Sequence, residues 1–252
     1  MAKPIVEARK LVKKYDSICV VDGVSFSIHQ GEVFGILGPN GAGKTTTLEM
    51  IEGLRSIDDG TALIDGNDVA KNQTSIRYKI GVQPQSPAFQ DKTKTYEVLE
   101  LFAAAYGVKI NAYELLDKVK LADKAKTYTE QLSGGQLQRL SIAAALVHSP
   151  KVLFMDEPTT GLDPQARRNI WELVQSVKKQ GITVVLTTHY MEEAELLCDR
   201  VAIMDSGKII ALDNPNNLVK QLLGRGFKKR RHVEQADLED VFIDLTGKEL
   251  RD

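Results

Sequence analysis

Residues 38–45 restrict the possible folds of this chain more than any other segment. They read Gly-Pro-Asn-Gly-Ala-Gly-Lys-Thr and fit G-x-x-x-x-G-K-[ST], the phosphate loop of ATP- and GTP-binding proteins. Its glycines let the backbone turn where a β-carbon would clash, so that consecutive N–H groups can hold phosphate oxygens. The mostly apolar residues 31–37 predict a buried strand before the loop, and residues 46–54 predict a helix after it. The N-terminus of that helix would face the bound anion.

This order of strand, loop and helix argues against a chance glycine-rich turn. Lys44 is expected to contact the β- and γ-phosphates, and the Thr45 hydroxyl is expected to ligate Mg²⁺. The expected nucleotide-binding residues are Gly38, Pro39, Asn40, Gly41, Ala42, Gly43, Lys44, Thr45 and Thr46.

The composition is that of an ordinary globular protein. The chain has 252 residues, a net charge of −1 and two cysteines, Cys19 and Cys198. The near-neutral charge gives no reason to expect nucleic acid as a partner. Two cysteines without metal-like spacing predict neither a disulfide framework nor a metal site, and fit the cytosol. No apolar run approaches the ~18 residues of a membrane span, and the N-terminus does not resemble a signal peptide.

The order of apolar and polar segments predicts an α/β fold. Short alternating segments before residue 37 indicate an antiparallel β subdomain, and residues 86–148 read as a mostly helical subdomain. Strands and helices alternate after residue 150, which is typical of a parallel sheet. We therefore expect a P-loop NTPase core over residues 1–220, followed by a C-terminal extension over residues 221–252.

Two further motifs suggest the chemistry. Asp156 and Glu157 follow an apolar strand, at the sheet edge where ligands collect. Asp156 would hold Mg²⁺ and Glu157 would act as general base toward water, unless the pair is an ordinary acidic loop. Residues 132–136, Leu-Ser-Gly-Gly-Gln, open a helix and form a second potential anion site. Alone they would be a common N-cap, but beside a phosphate loop they suggest half of a shared site.

Together these motifs resemble the nucleotide-binding subunit of ABC (ATP-binding cassette) transporters over residues 4–215. The resemblance implies a head-to-tail dimer in which Lys44 of one copy and residues of the helix start in the other share one ATP. The residues implied at the second half of the site are Ser133, Gly134, Gly135 and Gln136.

The resemblance carries over to four other positions. Gln85 matches a glutamine that reaches Mg²⁺ and the attacking water, and His189 matches a histidine that contacts the γ-phosphate. Tyr15 matches an aromatic residue that stacks on adenine, although a tyrosine at a strand edge would look the same. Asp163 matches an aspartate that crosses the dimer interface, and it also fits the N-cap of a helix starting at Pro164.

The C-terminal extension is similar to that of the drug- and antibiotic-exporter branch. Residues 236–247 predict an amphipathic helix with Leu238, Val241, Phe242 and Leu245 on one face, which could equally be a docking helix without relation to the substrate. Residues 94–96, Lys-Thr-Tyr, depart from the Leu-Thr-Val frequent in that branch. The basic run 228–231 could approach lipid headgroups or simply be solvated.

These features predict an ATPase that dimerises around ATP and Mg²⁺ and drives export through separate membrane permease chains. It would lie at the cytoplasmic face of the membrane. A regulatory ATP switch acting on a soluble partner is the alternative, and an ATP-binding scaffold without catalysis is a third reading. The presence of Glu157 and His189 argues against the scaffold. The transported substrate does not follow from this chain.

Overall fold

The computed structural model describes residues 3–227 and 238–246. The basic run 228–231 and the end of the chain after 246 lie outside this part. Among the described residues, no helix is both long enough and apolar enough to cross a bilayer.

The first half of the chain builds an antiparallel sheet around the phosphate-loop helix. β1 (Val6–Tyr15) pairs with β2 (Ile18–Ile28) and with β4 (Asp59–Ile64), and β4 pairs with the short β5 (Asn67–Asp68). Between β2 and β4 in the sequence, β3 (Val33–Leu37) enters the second sheet and leads through the phosphate loop into α1 (Lys44–Glu52). The antiparallel subdomain expected from alternation is confirmed.

The second sheet has the strand order β10-β9-β3-β8-β7-β6. Its strands are β6 (Ile80–Gln83), β7 (Val152–Asp156), β8 (Thr183–Thr188), β9 (Arg200–Asp205) and β10 (Lys208–Asp213), together with β3. All neighbouring pairs run parallel except β9 and β10, which form an antiparallel hairpin. Strands β3, β7 and β8 are buried along their whole length, as expected for central strands covered on both faces.

Helices surround this sheet. Residues between β6 and β7 form the helical subdomain, with α3 (Thr95–Tyr106), α4 (Ala112–Lys118) and α5 (Gly134–Leu146), and two 3₁₀ turns at Ala122–Lys124 and Thr129–Gln131. The remaining helices are α2 (Gln73–Arg77), α6 (Pro164–Lys179), α7 (Met191–Leu197), α8 (Pro215–Gly224) and α9 (Leu238–Thr246).

The C-terminal region follows β10 and contains helices α8 and α9. Helix α8 runs through residue 220, the predicted end of the main domain, and α9 forms within the predicted amphipathic segment. Val241 of α9 is buried and Leu245 packs at the edge of the same apolar core. Arg225 and Asp244 form an ion pair between the segment after α8 and α9. The C-terminal helix is therefore packed against the rest of the protein.

Candidate functional site

The topology brings the predicted site residues to one sheet edge. Strands β3, β8, β7 and β6 are consecutive neighbours and parallel, so their carboxyl ends lie side by side. The phosphate loop follows β3, His189 follows β8, Glu157 follows β7 and Gln85 follows β6. Residues far apart in sequence thus converge because each comes immediately after a strand of the same layer.

Close packing around Gly38 explains why the phosphate loop begins with glycine. A β-carbon at Gly38 would lie 2.1 Å from the Met204 carbonyl oxygen, which no side chain tolerates. Gly43 has a φ of +96° and is the N-cap of α1, a conformation that favours glycine. The loop therefore delivers Lys44 and Thr45 to the first turn of α1, with free N–H groups beside them.

Lys44 is almost fully buried and is held by three oxygens. Its ammonium donates to the carbonyl oxygens of Gly38 at 2.9 Å and Pro39 at 3.1 Å. Nζ also lies 3.2 Å from Oε1 of Glu157, and both side chains are less than a tenth exposed. A buried ammonium with oxygen partners at this loop is well placed to meet phosphate oxygens.

Glu157 is the centre of the polar contacts. Its Oε2 accepts hydrogen bonds from Gln85 Nε2 and from the Thr160 hydroxyl, each at 3.2 Å, and lies 3.4 Å from Nδ1 of His189. The His189 ring and then the Lys44 ammonium lower the pKa of Glu157 to about 2, against the opposing effect of burial. The carboxylate is therefore ionised throughout the physiological pH range.

Asp156 lies in a different environment from its neighbour. Its carboxylate accepts from the Thr45 hydroxyl at 3.0 and 3.1 Å and from the Thr187 hydroxyl. Burial raises the pKa of Asp156, while the hydrogen bonds from Thr187 and Thr45 lower it. Thr187 also accepts the backbone N–H of Glu157 at 2.9 Å, so this one hydroxyl orients both acidic residues. Sequence reasoning missed Thr187, which looks like any polar residue in a buried strand.

The oxygens of Thr45 and Asp156 fit a magnesium ion. Mg²⁺ takes hard oxygen ligands, commonly one or two from the protein, with water and phosphate oxygens completing the shell. The structure brings a hydroxyl and a carboxylate within hydrogen-bonding distance of each other next to the phosphate loop. The Gln85 amide, which donates to Glu157, is a further candidate ligand. Gln83, two residues before Gln85, is buried and its amide donates to the Pro84 carbonyl.

The helix start at 133–136 lies outside this cluster. Ser133 and Gly134 are exposed, and the side chains of Ser133 and Gln136 cap each other's backbone N–H groups. The cavity beside the phosphate loop has none of residues 133–136 in its lining, which is Val20, Asn40, Gly41, Gly43, Lys44, Thr45, Thr46, Gln85 and Glu157. The two elements that the sequence predicts to bind anions therefore lie apart within one chain.

Asp163 and Tyr15 also have local partners. Asp163 is the N-cap of α6, where its carboxylate accepts from the N–H groups of Gln165 and Ala166 at 2.9 Å. Tyr15 is 38% exposed, and its ring lies about 5.5 Å from the cationic groups of Lys13 and Arg55. Neither contact prevents the interface and adenine-stacking roles that the sequence predicts for these two residues.

Comparisons with known proteins identify this arrangement. The sequence profile described as ABC transporter matches residues 21–160, which include the phosphate loop and both later motifs. The linearmycin resistance ATP-binding protein LnrL of Bacillus subtilis is 42% identical over 225 residues, covering 87% of this chain and 72% of that protein. A Nod factor export ATP-binding protein I of Burkholderia pseudomallei is 37% identical, covering 98% of both chains.

Solved structures of ABC transporter cassettes are similar to this chain as well. The ATP-binding subunit of an ABC transporter superposes with a TM-score of 0.83 at 29% identity, covering 96% of this chain and 99% of that one. A dimeric ATP-binding cassette in a post-hydrolysis state with ADP and phosphate superposes with a TM-score of 0.75 at 27% identity, covering 83% and 98%. The chain belongs to the ABC transporter family and is an ATP-binding, ATP-hydrolysing subunit of that family.

Proposed function

We propose that this protein powers export by closing, as a head-to-tail dimer, around two molecules of ATP and Mg²⁺. The observation that carries the proposal is the separation of the two anion-binding elements. The cavity at Lys44 is also lined by Glu157, whereas the exposed helix start at Ser133 lies outside it. A second copy of the chain would bring its own Ser133 to the open side of the first copy's phosphate loop.

The polar residues at this sheet edge would each have a defined task. Lys44 and the loop N–H groups would neutralise phosphate charge, and Thr45 and Asp156 would hold Mg²⁺, with Gln85 beside them. The ion, when bound, would supply positive charge that offsets the charge of the phosphate groups. Glu157 would accept a proton from the attacking water, and His189 would orient the γ-phosphate.

The residues of the second copy would complete the site. Ser133, Gly134, Gly135 and Gln136 would bind the same ATP from the opposite side, and Asp163 would cross the interface. Tyr15 would stack on adenine through the face not occupied by neighbouring cations. These assignments rest on the positions of the side chains and on the family resemblance.

Export is the direction that the relatives favour. Their names refer to linearmycin resistance and to Nod factor export, and a structural neighbour belongs to a multi-subunit ABC transporter complex. We infer that separate permease chains supply the membrane path and that this subunit docks on their cytoplasmic side. Co-purification with a membrane protein of about six hydrophobic spans would test this partner. A soluble partner bound instead would favour the regulatory switch.

The substitution Glu157→Gln tests the catalytic base. The amide keeps the shape of the side chain but cannot take a proton, so we expect ATP binding to persist while turnover falls about 100-fold or more. Analytical ultracentrifugation with ATP should then show an accumulated dimer. Hydrolysis at the wild-type rate would rule out Glu157 as the base.

The double variant Glu157→Gln with Ser133→Arg tests the shared site. An arginine at the exposed helix start should block the second copy, so we expect ATP binding at the phosphate loop without ATP-dependent dimers. Circular dichroism controls for the loss of the α5 cap, which costs about 1 kcal/mol. Dimers that form as readily as in Glu157→Gln would place the dimer interface elsewhere.

A further inference from the structure

Glu193 is a fully buried carboxylic acid that the mechanism above does not use. It lies on α7, four residues after His189, and its side chain has no measurable exposure. Buried carboxyl groups are costly unless other groups satisfy them by hydrogen bonds. The contacts of Glu193 therefore indicate what the residue holds in place.

Two side chains from other segments donate to the same oxygen of Glu193. The Thr159 hydroxyl donates to Oε1 at 2.9 Å, and the indole Nε1 of Trp171 donates to it at 3.1 Å. Thr159 lies two residues after Glu157, and Trp171 lies on α6. Burial raises the pKa of Glu193, while hydrogen bonds from Thr188, Thr159 and Trp171 act in the opposite direction. One buried oxygen thus connects α6, α7 and the turn after β7.

The turn after β7 needs such an anchor. Glu157 has a φ of +44°, in the left-handed region that residues with side chains seldom adopt. Such a conformation persists only where neighbouring contacts enforce it. On one side its N–H is held by Thr187 at 2.9 Å. On the other side Thr159 is held by Glu193 at 2.9 Å.

We propose that Glu193 is a positioning residue for ATP hydrolysis. The hydrogen bond from Thr159 to Glu193 fixes the turn that contains Glu157 against α7, the helix that follows His189. The general base and the γ-phosphate-contacting histidine then keep a constant separation, at present 3.4 Å between Glu157 Oε2 and His189 Nδ1. This inference rests on the proposed function, because it concerns the distance between two residues that act on the same phosphate.

A residue that only stabilises the fold would affect the protein differently from one that sets catalytic geometry. A displacement of about 1 Å at reacting groups can cost about 100-fold in rate, whereas ATP contacts through the phosphate loop would stay intact. We therefore expect a lower kcat with little change in KM. The conservative variants that keep an oxygen or hydroxyl at the same place should recover the rate.

The experiment uses two pairs of variants in the full-length protein. Glu193→Ala and Thr159→Val remove the contact, whereas Glu193→Gln and Thr159→Ser keep an acceptor or a donor. Glu192→Ala, at the preceding and exposed position of α7, is the matched control. Trp171 is the one tryptophan of the chain, so its fluorescence reports the contact directly, without reference to activity. Thermal unfolding identifies any variant that does not fold, and the nearly isosteric Thr159→Val guards against that outcome for Glu193→Ala.

We expect Glu193→Ala and Thr159→Val to lower kcat about 10-fold or more, with KM for ATP within about threefold of wild type. Trp171 emission should shift in Glu193→Ala, and the Gln, Ser and control variants should remain close to wild type. A folded Thr159→Val with wild-type kcat would overturn the proposal, as would Thr159→Ser being equally impaired. A wild-type protein that fails to hydrolyse ATP would instead contradict the proposed function.

Discussion

Glu52 is a carboxylic acid at the buried C-terminal end of α1, and its environment predicts a measurable dependence of stability on pH. The side chain is only 7% exposed. Burial, and then the negative charges of Asp156 and Glu49, raise the pKa of Glu52 from 4.5 to about 8. The native protein therefore keeps a proton on Glu52 at neutral pH, whereas the unfolded chain has lost it. Replacing Glu52 with glutamine mimics the protonated form at every pH.

The sign and size follow from proton binding. Below pH 4.5 Glu52 is protonated in both the native and the unfolded state, so its burial as an acid does not lower the stability. Above pH 4.5 the free energy of unfolding falls as pH rises, until the native carboxyl also ionises near pH 8. Each pH unit in this interval costs about 1.4 kcal/mol. Between pH 6 and 8, allowing for partial ionisation near pH 8, wild type should lose about 2 kcal/mol relative to Glu52→Gln. For a chain of this size the difference corresponds to roughly 4 to 8 °C in Tm.

The assay is urea unfolding followed by Trp171 fluorescence and circular dichroism at pH 6 and 8. Glu192→Gln makes the same substitution at an exposed position of α7 and is the control. We expect the stability difference between Glu52→Gln and wild type to widen with pH, while the control stays parallel to wild type. If the difference is the same at both pH values, Glu52 is ionised in the native protein and the reasoning from burial fails.

Two further substitutions test the phosphate loop. Lys44→Met should weaken ATP binding about 10- to 100-fold, because it removes a charge-assisted contact with phosphate, and calorimetry should show this while the exposed Lys109→Met binds normally. Gly38→Ala should destabilise the protein by more than about 2 kcal/mol, because its β-carbon meets the Met204 carbonyl oxygen. Gly181→Ala, at a glycine with a positive φ (+82°) but open space around it, should cost only about 1 kcal/mol in the same unfolding assay. Equal losses in the two glycine variants would argue against the clash at Gly38.

The sequence predicted which of these residues come together better than it predicted the contacts around them. Lys44, Gln85, Glu157 and His189 each follow an apolar strand, and the parallel arrangement of those strands is enough to bring them together. Local patterns also predicted α6 and the capping role of Asp163. Helix α8 was missed, although Asn214 and Pro215 are a typical helix start.

Burial of single acidic residues could not be predicted in this way. Glu193 stands beside Glu192 in the sequence, and nothing local distinguishes the buried residue from the exposed one. The difference arises because Thr159 and Trp171, from two other segments, meet Glu193 in the folded protein. Glu52 likewise falls at the end of a helix and is buried by packing in three dimensions. Tertiary contacts of this kind have no signature in a single segment.

The contact between Lys44 and Glu157 connects nucleotide binding with the strength of the base. His189 and the Lys44 ammonium, whose Nζ lies 3.2 Å from Oε1 of Glu157, keep the pKa of Glu157 at about 2. Without nucleotide this carboxylate is therefore a weak base. Phosphate oxygens at the loop would compete with Glu157 for Lys44, and each positive charge withdrawn from a carboxylate raises its pKa. ATP would thus strengthen the base that accepts a proton from the attacking water. Lys44→Met should therefore impair hydrolysis mainly by weakening ATP binding. The substitution removes the contact with phosphate, but it also removes the ammonium that lowers the pKa of Glu157.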